Sequence, residues 1–189
     1  MQNITSTIIA LLIAGGLIFI VPLVTLTDRS DNVAQENAKR IVEQFVTEVK
    51  NTGKLTRAQY QNFESRLNTL GSNTYEIEIE IKHLDENPGK KTAQVQYTKI
   101  GENVYYSEYT TQVLKQLGIK VDNETPSGGT ILLKQGDYIY IQVKNDNSTT
   151  AQTLKSSFIG FANAGEYAIF ANSSGMVTVN GVNDKNKWG

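Results

Sequence analysis

The chain has 189 residues, 39% of them hydrophobic, and its 18 basic and 19 acidic side chains leave a net charge of -1. The two signs are intermixed along the chain, which argues against a nucleic-acid surface and against a polybasic membrane patch. The absence of cysteine excludes disulfides, thiolate metal sites and cysteine nucleophiles together.

From Ile4 to Leu26 no side chain is charged, and Ile8 to Val21 is apolar on every helical face. A bilayer core about 30 Å thick takes roughly 20 residues of helix, so the stretch predicts one membrane span. A cleaved signal peptide would be shorter and would open on Lys or Arg, whereas Met1 to Thr7 carries neither. Within the span Ser6, Ala10 and Ala14 recur at every fourth position and Gly15 and Gly16 follow. They form a small-residue face that reads equally as one letting helix backbones approach closely in lipid or as the ordinary abundance of Ala and Gly in membrane helices.

Beyond Asp28 the apolar residues Ala34, Ala38, Ile41, Val42, Phe45, Val46 and Val49 keep the spacing of an amphipathic helix, and Asn51-Thr52-Gly53 is the next stop signal. One helix from about Ile4 to about Asn51 is predicted, with Pro22 tolerated inside it. Residues 1–27 are read as the transmembrane segment, 28–182 as a soluble domain that takes in the amphipathic half of this helix, and 183–189 as a polar tail. Once the span is set aside, one modest domain with a real core remains.

Thr56 and Gln59 have capping-box spacing ahead of a short helix bearing Tyr60, Phe63, Leu67 and Leu70 and stopped at Gly71. From Thr74 the period becomes two. Tyr75, Ile77, Ile79 and Ile81 alternate with Glu76, Glu78, Glu80 and Lys82, and Asp85 to Gly89 should turn the chain into a return strand over Thr92 to Tyr97. Ser107 to Leu117 suits a short helix ending at Gly118. Asn123 to Gly129 reads as a polar loop. Ile131 to Leu133 and Tyr138 to Val143 are predicted to pair as a second hairpin across Lys134–Asp137. Asn145 to Ser148 offers an N-cap for a helix over Thr149 to Phe161, and Glu166 to Ala171 and Met176 to Val179 are strand candidates separated by Asn172 to Gly175. The expected fold class is α+β: a long N-terminal helix, transmembrane then amphipathic, packed on a small, mostly antiparallel sheet with short helices.

The catalytic inventory is thin. His83 is the only histidine and is expected to be a solvent-exposed strand residue rather than a general base. No Gly-x-Ser-x-Gly elbow, phosphate loop or dinucleotide fingerprint occurs. Glu76, Glu78 and Glu80 are expected to form a charged outer sheet face rather than a metal cluster. Asp146 with its flanking asparagines lacks the rest of a calcium loop and reads as helix capping. Tyr138 and Tyr140 share one strand face, read as a cross-strand aromatic pairing or as a partner surface. No catalytic residue, cofactor or metal is expected.

A long helix, hydrophobic then amphipathic, ahead of a compact sheet domain resembles type IV-like pilins. More narrowly, Ile41 to Thr56, then Tyr60, Leu67, Gly71, Tyr75 to Ile79 and Glu166 to Val177 look like the TadE-like pseudopilins of Gram-positive tight-adherence loci. The resemblance implies a membrane-anchored, non-enzymatic subunit of a surface pilus or secretion-related assembly, single-pass, with its soluble domain outside the cell. Its partners would be other pilin-like or membrane subunits, met through the helix face of Ser6, Ala10, Ala14 and Gly15, and the lipid bilayer. Arg29, Lys39 and Arg40 follow the span, so a bare count of basic residues points the other way and the outward orientation is what the resemblance implies. The span has no acidic residue of the kind that registers subunits in many pilins, which favours a minor, tip or machinery-associated subunit over a major one. The competing reading is a monomeric anchored module whose Tyr138 and Tyr140 face binds a glycan or protein.

Overall fold

The computed structural model describes residues 2–70, 74–84, 105–119, 129–149, 152–153, 157 and 169–182. Its first element, α1 (Gln2–Thr52), runs for 51 residues through Pro22 without interruption. At 1.5 Å per residue that is a rod of about 75 Å. Its two halves meet different surroundings. The N-terminal half stands clear of the other described residues, with Leu11 73% and Phe19 78% exposed. The Thr25 and Thr27 hydroxyls donate to Val21 O and Leu23 O at 2.9 and 3.2 Å. Returning a hydroxyl to its own helix is how a polar side chain is satisfied in apolar surroundings. From Ala34 onward one face is buried, and it carries Ala38, Ile41, Val42, Phe45, Val46 and Val49 into the core.

The helix ends at Gly53, and β1 (Lys54–Thr56) leads into α2 (Arg57–Asn68). The capping box forms as its spacing implies: Gln59 N donates to Thr56 Oγ1 at 3.2 Å, and Thr56 N to Gln59 Oε1 at 2.8 Å. Tyr60, Phe63 and Leu67 face the core. Phe63 stacks on Phe45 with ring centroids 4.3 Å apart, which folds α2 back onto the soluble half of α1.

The other elements are β2 (Tyr75–Leu84), β3 (Tyr105–Tyr109), α3 (Thr110–Gln116), β4 (Thr130–Leu132), β5 (Tyr138–Asn145) and β6 (Phe170–Met176). Four strands make an antiparallel sheet in the order β3-β2-β5-β6, and β1 pairs antiparallel with β4 apart from it. Alternation sorts the faces: Ile139, Ile141 and Val143 of β5 are buried on the side where α1 packs, and Ile79 and Ile81 of β2 on the same side where α3 packs, with Val113 and Leu117 added from α3 and its end. The fold is α+β, a long helix on a small antiparallel sheet with short helices.

Several local expectations are corrected. Ser107 to Tyr109 belongs to β3, and the helix begins only at Thr110. The span Ile131 to Leu133 does not form a hairpin with Tyr138 to Val143. The turn exists, with Asp137 N donating to Lys134 O at 3.0 Å, but β4 pairs with β1 while β5 lies between β2 and β6. Leu133 is held instead by main-chain bonds to Gly53 and Gly181, at 2.8 Å each. The segment Asn172–Gly175 is strand, not loop, since β6 runs through it in register with β5. Its small residues have a packing reason: Ala171, Ser173 and Gly175 lie on the face that α1 covers, and a Cβ at Gly175 would come within 2.8 Å of Lys50 Cδ. Bulk there would push the Lys50 side chain aside.

Thr149 itself caps the helical turn after β5, exchanging bonds with Gln152 at 2.9 and 3.3 Å, and 152, 153 and 157 are helical. The turn Asp85 to Gly89, the return strand Thr92 to Tyr97, Gly71, most of the Asn123 to Gly129 loop, the rest of the last helix, Glu166 to Ala168 and the tail lie outside the described residues.

Candidate functional site

Three places carry the side chains that the sequence singles out. The first is the uncovered half of α1. Ser6, Ala10 and Ala14 are exposed and Gly15 half-buried, and a Cβ built at Gly15 or Gly16 meets nothing within 4 Å. The small face therefore has no packing role inside the described chain. An 18-residue window of this helix has a mean hydropathy of 2.7 and is 0% buried, so by length and composition it is apolar enough to cross a membrane.

The second place is the outer face of the sheet, where Tyr138 and Tyr140 stand half-exposed. They are neighbours along β5 and not an aromatic pair across strands. Opposite Tyr138 stand Lys82 and Met176, and opposite Tyr140 stand Glu80 and Ser174. Both hydroxyls are engaged: Tyr138 donates to Ser174 Oγ and Tyr140 to Gln142 Oε1, each at 2.7 Å. The three glutamates of β2 join the same layer. Lys144 bridges Glu76 and Glu78 at 3.1 and 2.9 Å, and Ser107 donates to Glu80 at 2.8 Å. The bond to Glu78, then that to Glu76, raises the Lys144 pKa. Among the described residues no group of three or more His, Asp or Glu side chains is arranged to hold a metal ion.

The third place was not legible. His83 is not a solvent-exposed strand residue; its side chain is 14% exposed. Nδ1 lies 3.0 Å from Asp137 Oδ2, Nε2 lies 3.6 Å from Glu108 Oε2, and the ring stacks on Tyr106. Asp137 also accepts from the backbone N–H groups of Leu84 and Lys134, at 3.0 and 2.9 Å, and Glu108 accepts from Gln116 at 2.8 Å. The signal for this was phase. His83 continues the Ile79, Ile81 alternation and so belongs on the core side of β2, at an end where the core is thin.

The cluster has the parts of a proton-transfer site but not the arrangement. Both ring nitrogens face carboxylates, which favours the imidazolium form and leaves neither nitrogen directed at a space where a substrate proton could be taken. Burial works against that charge, but the hydrogen bond to Asp137 and the charges of Asp137 and Glu108 outweigh it and raise the His83 pKa. Burial likewise acts to raise Asp137, and the bonds from His83, Lys134 and Leu84 hold it below its ordinary value of 3.8. The cluster is an ionic tie joining β2, β3 and the turn before β5.

Its pH dependence follows from those directions. A raised histidine pKa gives stability that is full below the ordinary value of 6.5 and lost as pH rises through the folded value. A lowered aspartate pKa gives stability that is full above 3.8 and lost as pH falls through the folded value. In denaturant titrations of the full chain in detergent, the stability gap between the natural protein and His83→Gln should be widest near pH 5 to 6 and shrink toward pH 9. A gap that stays constant over that range would refute the charged tie.

A cleft of about 230 Å³ between α1 and α2 is lined by Phe45, Glu48, Ala58, Gln59, Asn62, Phe63 and Arg66. Its one carboxylate, Glu48, accepts from Gln59 at 2.7 Å, and nothing in it pairs a nucleophile with a base. Compared with protein-family models, with curated proteins and with solved structures, the chain matches none.

Proposed function

We propose that this protein is a membrane-anchored, non-enzymatic, pilin-like or pseudopilin subunit of a surface pilus or secretion-related assembly. The observation that carries the reading is the continuity of α1, whose uncovered apolar half passes without a break into the half that forms the core of the sheet domain. A simple tether needs no such stiffness. A rod fixed to its domain transmits the position of a membrane helix directly to the domain, and so suits a subunit that must hold register with neighbours.

In this reading the N-terminal half of α1 lies in the bilayer, the sheet domain faces outside the cell, and the helix face of Ser6, Ala10, Ala14 and Gly15 packs on another subunit. Ala10→Leu with Ala14→Leu should leave membrane insertion intact, because leucine adds hydrophobicity. It should reduce cross-linking through the span several-fold, because leucine blocks close backbone approach. The domain core begins at Ala34 and stays folded in this variant. Unchanged cross-linking of correctly inserted protein would leave the small face as background composition and sink the packing role.

A further inference from the structure

The lipid edge can be located on α1 and its level carried across to the rest of the domain. Ile4 to Leu26 carries no charge, the Thr25 and Thr27 hydroxyls return to Val21 O and Leu23 O, and Asp28 is the first ionisable side chain. In the anchored reading above, on which this inference rests, the hydrocarbon therefore ends near Asp28. The headgroup layer beyond it is about 5–7 Å thick on each side of a bilayer. At a rise of 1.5 Å per residue Asp31 stands only about 5 Å past Asp28, inside that layer.

The domain is already in place at that level. Thr149, 1% exposed, donates its hydroxyl to Asp31 Oδ2 and caps the helical turn after β5, in which residues 152, 153 and 157 are helical. The edge of the sheet beside α1 climbs away from this point. Gln35 bonds both the N–H and the C=O of Phe170 at the start of β6, and Lys50 O accepts from Thr178 N at 3.1 Å just past its end, so α1 and β6 run parallel. Lys50 and Thr178 are about 28 Å farther along α1 than Asp31.

Two side chains of the turn share a property with the lipid end of α1. Thr153 and Ser157 are exposed, yet Thr153 Oγ1 donates to Thr149 O at 3.0 Å and Ser157 Oγ to Thr153 O at 2.8 Å. Each directs its proton to its own helix, as Thr25 and Thr27 do. Bulk water satisfies an exposed hydroxyl without that bond, whereas beside lipid the helix itself is the acceptor at hand.

We infer that the helical turn carrying Thr153 and Ser157 is seated in the headgroup layer, so that the sheet domain rests on the lipid surface through this turn as well as through α1. The stretches 28–31 and 146–157 together hold Arg29 and Lys155 against Asp28, Asp31 and Asp146. With no excess of positive charge, the fitting partner is a neutral, zwitterionic headgroup and not an anionic lipid. A second foothold on the membrane fixes the rotation of the domain about α1, which a single helix leaves open. That rotation is what a subunit must hold to stay in register with its neighbours.

The chain has no natural cysteine, so single labels report one place each. Full-length Leu26→Cys, Thr153→Cys, Ser157→Cys and Val179→Cys chains, each carrying an environment-sensitive fluorophore, are reconstituted into phosphatidylcholine vesicles with and without lipid bearing a nitroxide on its headgroup. Leu26 and Val179 are 64% and 42% exposed, so the reference labels project clear of the core. The labels at Thr153→Cys and Ser157→Cys are expected to be quenched several-fold more than that at Val179→Cys, beside Thr178 at the far end of the domain. The label at Leu26→Cys marks the lipid edge and should be quenched as strongly as they are. Quenching at Leu26→Cys, with Thr153→Cys and Ser157→Cys no higher than Val179→Cys, overturns the seating alone. No quenching at Leu26→Cys overturns the anchoring, and the seating with it.

Discussion

Replacing Gly53 by alanine is expected to cost the soluble domain about 2–5 kcal/mol, a large part of the total for a domain of this size. Gly53 joins the long helix to β1 with φ at +63°, a left-handed conformation that costs any residue with a Cβ roughly 1–2 kcal/mol. The site is also closed. A Cβ there would lie 2.5 Å from both Gly181 N and Val179 O, and these are backbone atoms that cannot rotate away. Displacing them would disturb the bonds from Leu133 N to Gly53 O and from Gly181 N to Leu133 O, each 2.8 Å, that hold the β4 end and the segment after β6 at the helix terminus. Gly129→Ala is the control, because an added Cβ there meets nothing within 4 Å. Guanidinium midpoints of both variants, measured on the full chain in detergent, should separate clearly. Equal midpoints would show that the helix terminus is not closed as described.

Asp137→Ala should be comparably damaging, at about 3–5 kcal/mol. The Asp137 side chain has few contacts with water and accepts from Leu84 N, Lys134 N and His83. Its removal leaves two backbone donors without their acceptor and the His83 ring without its nearer carboxylate. The loss therefore falls on three elements at once: the end of β2, the turn before β5, and the tie to β3. Asp137→Asn separates the components in part, since it retains one acceptor oxygen for a backbone N–H and loses the charge together with the second acceptor. It should recover part of the stability and flatten the pH dependence near neutrality. An alanine variant with unchanged stability would show that the cluster does not hold these elements together.

The spread of correct and corrected elements has a physical pattern. α1, the capping box of α2, and the alternation of β2 and β5 were legible because each is written in the spacing of neighbouring residues. β1 was not, since it has 3 residues and exists only by pairing with β4 across the chain, and β4 was legible as a strand but not its partner. β6 was read as two strands around a loop because Asn172 to Gly175 has turn composition. Ser173 and Gly175 lie on the face where α1 packs, a constraint from another element. The site shows the same division. The small helix face and the shared face of Tyr138 and Tyr140 were legible by periodicity, whereas the hydrogen bonds that engage both tyrosines depend on Ser174 and Gln142 standing within reach.

Periodicity alone thus determined that the chain is one long helix, apolar then amphipathic, followed by an α+β domain with alternating strands, because burying one face of a helix or strand demands that spacing whatever lies opposite. Only the tertiary structure decided which strands pair, that the helix runs parallel to an edge strand, and that His83 is locked between Asp137 and Glu108. Those outcomes depend on which faces remain to be covered once α1 is laid on the sheet, and that is a property of the assembled core, absent from any local stretch of residues.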